Sequence, residues 1–122
     1  MMRSARGTTA NLSGAMAEDA VLREYRGQGA ELLARRWRGR SGEIDLILQA
    51  DAALIFVEVK SAATHDAAAE RIRPTQARRI MGAAEEYLAA TGRPLATEMR
   101  FDAALVDATG RVAILPDAFA AF

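Results

Sequence analysis

The sequence predicts an α/β domain, a mixed central sheet flanked by helices, with its elements in the order αβββαββ. Three observations lead there. Two segments carry apolar residues at helical spacing, five others carry apolar runs of strand length, and glycine- or proline-containing turns separate them. The chain of 122 residues suits one domain. Residues 1–12 are polar and aperiodic and read as a flexible arm, which leaves 13–122 as the single folded unit.

Each element has its own local warrant. Ser13 can cap a helix from about Gly14 to Arg26, whose apolar stripe is Ala17, Val21, Leu22 and Tyr25, and Gly27 to Gly29 stop it. Ala30 to Arg38 reads as a strand, Gly39 to Gly42 as a turn. Glu43 to Gln49 and Ala53 to Lys60 are strands joined around Asp51. Ser61 to Glu70 is a small-residue loop or weak helix. Pro74 suits the first turn of a second helix running to about Ala90, with the stripe Ile80, Ala83, Ala84, Tyr87 and Leu88. Glu98 to Asp107 and Arg111 to Pro116 are the last two strands. Phe119 and Phe122 are placed to cover an edge of the core.

Composition excludes several chemistries. The chain has no cysteine, so disulfides, zinc–thiolate sites and thiol nucleophiles are out. The single histidine, His65, excludes multi-histidine metal sites and reads as a loop residue without a role. No apolar run reaches membrane-spanning length and the first residues lack a signal-peptide core, so the expectation is a cytoplasmic protein with no membrane partner. Net charge is zero. Of the sixteen basic residues, all but Lys60 are arginine. Arginine can replace lysine on a wet surface but not in a tight site, so a lone lysine draws attention.

Lys60 lies in the hairpin "GEIDLILQADAALIFVEVKS". With the turn centred between Asp51 and Ala52, Asp45 falls opposite Glu58, with Cβ atoms roughly 5 Å apart on one face. Glu43, Ile47, Gln49, Leu54, Phe56 and Lys60 share that face. Ile44, Leu46, Leu48, Ile55, Val57 and Val59 form an aliphatic face that packs on a helix layer. Two carboxylates so close must share a proton, a cation or a metal. Lys60 can neutralise one. An oxygen-rich pocket of this kind suits Mg²⁺ or Mn²⁺. From spacing alone, a solvated hairpin end with a salt bridge is the more frequent reading. Two polar residues on helix stripes can add to the same place: Glu18 on the first and Gln76 on the second. Each alone also fits a helix end meeting solvent.

These positions carry a resemblance. "GEIDLI" followed by "IFVEVKS", the preceding "AEDAV" and the later "MRFDAALVD" resemble the YraN family of small bacterial proteins. That family is similar to archaeal Holliday-junction resolvases, within the restriction-endonuclease-like (PD-(D/E)XK) superfamily. The resemblance spans roughly Gly14 to Asp107. It implies a restriction-endonuclease-like sheet and divalent-metal-dependent hydrolysis of phosphodiester bonds. Asp45 takes the place of the motif aspartate, and Glu58 and Lys60 that of the E-x-K pair. Glu18 matches the glutamate on the helix of the resolvase-like branch, and Gln76 falls where relatives carry Lys or Gln after a proline. On this basis Asp45, Glu58, Lys60, Glu18 and Gln76 are the expected catalytic set, and Asp45, Glu58 and Glu18 the expected ligands of Mg²⁺ or Mn²⁺. Asp102, in a recurring "RFD", is expected to be structural. The chain departs from the family pattern at Ala62 and "THDAA", where relatives carry a basic residue and a Phe-Gly, and at Arg36, where they carry asparagine.

Two arginine clusters fit a nucleic-acid partner. One runs Arg35, Arg36, Trp37, Arg38, Arg40; the other is Arg71, Arg73, Arg78 and Arg79 at the start of the second helix, where positive charge opposes the helix dipole. Arg36, Arg38, Arg78 and Arg79 are the expected contacts. A solvated face paired with Asp66, Glu70, Glu85 and Glu86 is the alternative. The expectation is therefore a nuclease-like protein acting on DNA, branched or structured DNA included. A non-catalytic nucleic-acid-binding or assembly module on the same fold is the second reading. A protein-interaction domain, pairing as a homodimer through an exposed sheet edge, is the third.

Overall fold

The computed structural model describes residues 13–119. The expected arm, residues 1–12, and Phe122 lie outside the described residues. Helix α1 (Gly14–Gly27) starts where Ser13 Oγ accepts the Met16 N–H at 3.1 Å. It ends at Gln28 and Gly29, the latter in the left-handed region at φ 92°. Strands β1 (Glu31–Arg38), β2 (Glu43–Ala50) and β3 (Ala53–Ser61) follow as a meander. The weak helix expected after them is one short turn, α2 (His65–Ala69), with Thr64 Oγ1 accepting the Ala67 N–H. Helix α3 (Pro74–Ala90) opens on its proline, with Arg73 extended before it as a pre-proline residue must be. Strands β4 (Met99–Val106) and β5 (Val112–Leu115) complete the sheet.

The sheet order is β1-β2-β3-β4-β5. All neighbours are antiparallel except β3 and β4, which are parallel. A parallel pair needs a long return connection, and α2 and α3 supply it. The β2–β3 turn takes two residues, with Ala50 opposite Ala53, and Asp51 adopts φ 55°, a conformation aspartate tolerates. This is the register expected from the sequence.

The sheet is covered on both faces. On one, the α1 stripe packs on Leu46, Leu48, Ile55, Val57, Ala104 and Val106. On the other, the α3 stripe packs on Ile47, Leu54 and Phe56, with Tyr87 edge-on to Phe56 and to Trp37. Ile44 corrects the expectation. It joins the α3 side rather than the aliphatic α1 face. Alternation fails between Ile44 and Leu46 because Asp45 lies outside both ladders. Across from it, Arg36 in β1 takes φ 55°. Phe119 is fully buried against Ala77 and Ala103, as its position suggested. His65 is also corrected: it opens α2, and its Nε2 lies 2.9 Å from the Arg111 carbonyl oxygen, tying α2 to the β4–β5 turn.

Asp102 is completely buried in β4 and holds three parts of the chain. Its carboxylate accepts the Tyr25 hydroxyl of α1 at 2.6 Å, the Arg100 guanidinium at 2.9 Å through both oxygens, and the Asp117 N–H at 2.8 Å. Burial, and then the adjacent carboxylate, raise the Tyr25 phenol above its ordinary pKa, so it stays a donor. A buried carboxylate with this many donors is satisfied, whereas donors stripped of it are not. Asp102→Ala is expected to cost about 3–5 kcal/mol in urea unfolding, and Tyr25→Phe about 1–3 kcal/mol.

Candidate functional site

The site begins where two strands part. The β2–β3 ladder runs from the turn to Leu46 opposite Val57 and stops there. Beyond that point β2 stays with β1, through Ile44 opposite Trp37 and Glu43 opposite Arg38. β3 stays with β4, through Glu58, Val59 and Lys60 opposite Ala103, Ala104 and Leu105. The expected ladder pair of Asp45 with Glu58 is therefore not formed, because pairing ends one residue short of it. A notch opens in the sheet instead. Asp45 Oδ2 accepts the Val59 N–H at 2.7 Å, satisfying a strand donor that has lost its ladder partner.

The charges still gather at the notch. Glu58 Oε2 is 3.2 Å from Lys60 Nζ, and both side chains are mostly buried. Asp45 is pushed up to about pKa 7, first by burial and then by the charge of Glu58; the Val59 N–H opposes this. The Glu58 carboxyl is also raised by burial, against the pull of Lys60. Glu18 adds repulsion to both from α1. It is buried as expected of a stripe position, at 5% exposure, but it is already partnered: Arg35 Nε lies at 3.0 Å and Arg36 Nε at 3.1 Å.

On the α3 side, Gly42, Glu43, Glu58, Gln76, Arg79 and Ile80 line a cleft of about 140 Å³. This brings Gln76 to Glu58. Gln76 Oε1 accepts the Arg73 N–H at 3.1 Å, which caps the helix and leaves its NH₂ group for the cleft. Arg79 borders the same cleft, while Arg78 is exposed beside it in sequence. Among the described residues neither makes an ion pair, and the expected partners Asp66, Glu70 and Glu85 make none either. Arg38 is exposed and reaches Glu43 only at 3.6 Å. Arg36 spends its Nε on Glu18 and keeps half its side chain in solvent.

Two residues placed by the sequence, Glu43 on the charged face and Arg35 in the basic run, have roles it did not assign. Glu43 lines the cleft and raises Glu58; its place two before Asp45 was the available signal. Arg35 closes on Glu18, Asp19 and the Ala15 carbonyl, locking α1 to β1. Nothing in a basic run tells which member turns inward.

Asp45 and Glu58 suit a hard divalent cation. Both are carboxylates held in a partly dry place, with mutual repulsion that a cation relieves, and Mg²⁺ is ordinarily held by one or two carboxylates plus water. Among the described residues, no three His, Cys, Asp or Glu side chains group as a metal cage. Glu18, the third expected ligand, is held by Arg35 and Arg36.

The sequence comparisons place the chain among known proteins. The model of "Uncharacterised protein family UPF0102" matches residues 17–106, and the chain belongs to that family, the YraN family. A UPF0102 protein of Cereibacter sphaeroides is 52% identical over 115 residues, 94% of this chain and 98% of the relative. One from Roseobacter denitrificans is 49% identical over 112 residues, 92% and 87% of the two chains. One from Ruegeria pomeroyi is 47% identical over 116 residues, 95% and 94%. Among the described residues no helix is long and apolar enough to cross a membrane.

The raised Asp45 pKa makes a stability statement. In the unfolded chain the carboxyl ionises near its ordinary value of 3.8; in the fold it ionises near 7. The folded state therefore loses stability as pH rises through that window, and the loss is complete above it. Asp45→Asn keeps an oxygen for the Val59 N–H and removes the charge. In metal-free buffer it is expected to unfold at higher urea than the parent at pH 8, by about 2–4 kcal/mol, with the gain vanishing below pH 4.

Proposed function

We propose that the notch is the metal site of a nuclease-like protein that hydrolyses phosphodiester bonds in DNA, with branched or structured DNA as the substrate class the resemblance points to. One observation carries this: two desolvated carboxylates, Asp45 and Glu58, repel each other at a break in the sheet while a lone lysine forms an ion pair with Glu58 alone. Asp45 and Glu58 would hold Mg²⁺ or Mn²⁺. A bound ion of this type lowers the pKa of water and neutralises phosphoryl oxygens. Lys60, three donors on one nitrogen, orients the attacking water and stabilises negative charge on the phosphate. The Gln76 NH₂ donates to a substrate oxygen. Glu18 assists as the fixed counter-charge that keeps Arg35 and Arg36 beside the notch. Arg36, Arg38, Arg78 and Arg79 take flanking phosphates.

A second reading is a non-catalytic nucleic-acid-binding or assembly module. What favours it is internal compensation: Lys60 on Glu58, and Arg35 and Arg36 on Glu18, reduce the site's need for a cation.

Calorimetric titration with Mn²⁺ separates the two. The first reading expects weak binding that Asp45→Ala and Glu58→Gln abolish, together with Mn²⁺-dependent cleavage of branched DNA. Salt-sensitive DNA binding without any carboxylate-dependent Mn²⁺ binding would leave only the second. In either case, Arg78→Gln with Arg79→Gln is expected to lower the log–log salt slope of DNA affinity by about 2.

A further inference from the structure

A second cleft, of about 360 Å³, lies between Trp37, Arg38 and Arg40 on one side and Glu86, Ala89 and Ala90 of α3 on the other. The Gly39–Gly42 turn borders both this cleft and the one at Glu58. That turn is fastened to α3, since the Ser41 N–H and Oγ donate to the two Glu86 carboxylate oxygens at 3.2 and 3.1 Å. Glu86, the only carboxylate lining the cleft among the described residues, is thereby engaged. Trp37 stands edge-on to Tyr87, with centroids 5.4 Å apart and planes at 88°, which fixes its orientation. Its six-membered ring abuts Gly39. A Cβ there would lie 2.8 Å from Cζ3, 3.2 Å from Cη2 and closer still to Glu86 Oε1, so only glycine lets the turn pass between the ring edge and that carboxylate. Across the gap, Ala89 and Ala90 are exposed and too small to fill it. Among the described residues Arg40 has no ion pair, and Arg38 is held only loosely by Glu43.

We infer that this cleft takes an unpaired nucleobase of single-stranded nucleic acid, stacked on Trp37, with the neighbouring phosphates on Arg38 and Arg40. An aromatic face flanked by cations is what a single strand recognises, because every base has a stacking face and every linkage a charge. A duplex keeps its bases stacked internally and has none to give. The inference rests on the reading of the notch as a DNA site and sharpens it. The substrate carries an unpaired stretch that enters along the β1–β2 turn and reaches the carboxylates from there.

Trp37 is the sole tryptophan, so its emission reports the cleft directly. The protein is titrated with a short oligothymidylate and with a blunt duplex, at low salt in EDTA. The expected result is saturable quenching by the single strand and little by the duplex. Ala90→Glu places bulk and negative charge in the cleft from an exposed position, and its folding is checked by urea unfolding. It is expected to weaken single-strand binding about tenfold. Equal quenching by the duplex, binding without quenching, no single-strand binding, or full affinity in Ala90→Glu would each overturn the inference. Mn²⁺ titration does not involve Trp37. Loss of quenching with Asp45-dependent Mn²⁺ binding intact therefore overturns this inference alone, and quenching without Mn²⁺ binding overturns the metal reading alone.

Discussion

The hydrogen bond from the Val59 N–H to Asp45 Oδ2 is the contact on which the site's geometry depends. A strand that leaves its neighbour exposes backbone donors inside the fold, and these must be satisfied. Here a side chain does it. Asp45 replaces the lost ladder bond, so β2 can follow β1 while β3 follows β4. The same step moves Ile44 to the α3 side and draws Arg36 into a left-handed conformation beside Glu18. Sheet break, carboxylate position and charge cluster are one event.

Two aspartates in this fold, Asp102 fully buried and Asp45 partly so, make an instructive contrast. Asp102 accepts a phenol, both ends of a guanidinium fork and a backbone N–H. Nothing about it calls for an added ligand, and its role is to join α1, β4 and the chain after β5. Asp45 accepts one backbone N–H and faces two other carboxylates. A satisfied buried charge is architecture. A deficient one costs stability, and folds keep such costs mainly where chemistry needs them. That difference in hydrogen bonding separates the two aspartates as much as their burial does.

Most of the fold was legible because its signals are local. The two stripes, Ser13, Pro74 and the Asp51 turn fixed helices and register within a residue or so. The gathering of charge was legible, since with the two-residue turn the spacing of Asp45, Glu58 and Lys60 puts them at the same end of the paired strands. The break at Asp45 was not, because period-two reasoning assumes an uninterrupted ladder. His65 was misjudged for a related reason: its partner is a backbone carbonyl from the β4–β5 turn, which no side-chain pattern announces. Glu18 was placed correctly on its stripe, but its capture by Arg35 and Arg36 depends on how α1 crosses β1, a tertiary fact.

The arginines sort by the same logic. Arg35 and Arg100 turn onto Glu18 and Asp102, where a planar fork can bind two oxygens or two partners at once, and Arg36 gives Glu18 its Nε while half its side chain stays in solvent. Arg38, Arg40, Arg78 and Arg79 remain outside with weak pairing or none. Arg78 and Arg79 lie exposed in the second turn of α3, and among the described residues no ion pair engages them. The stability of the isolated chain does not call for them there. The nucleic acid proposed for the notch would give them a partner, and at the notch Lys60, the one basic residue not written as arginine, meets Glu58.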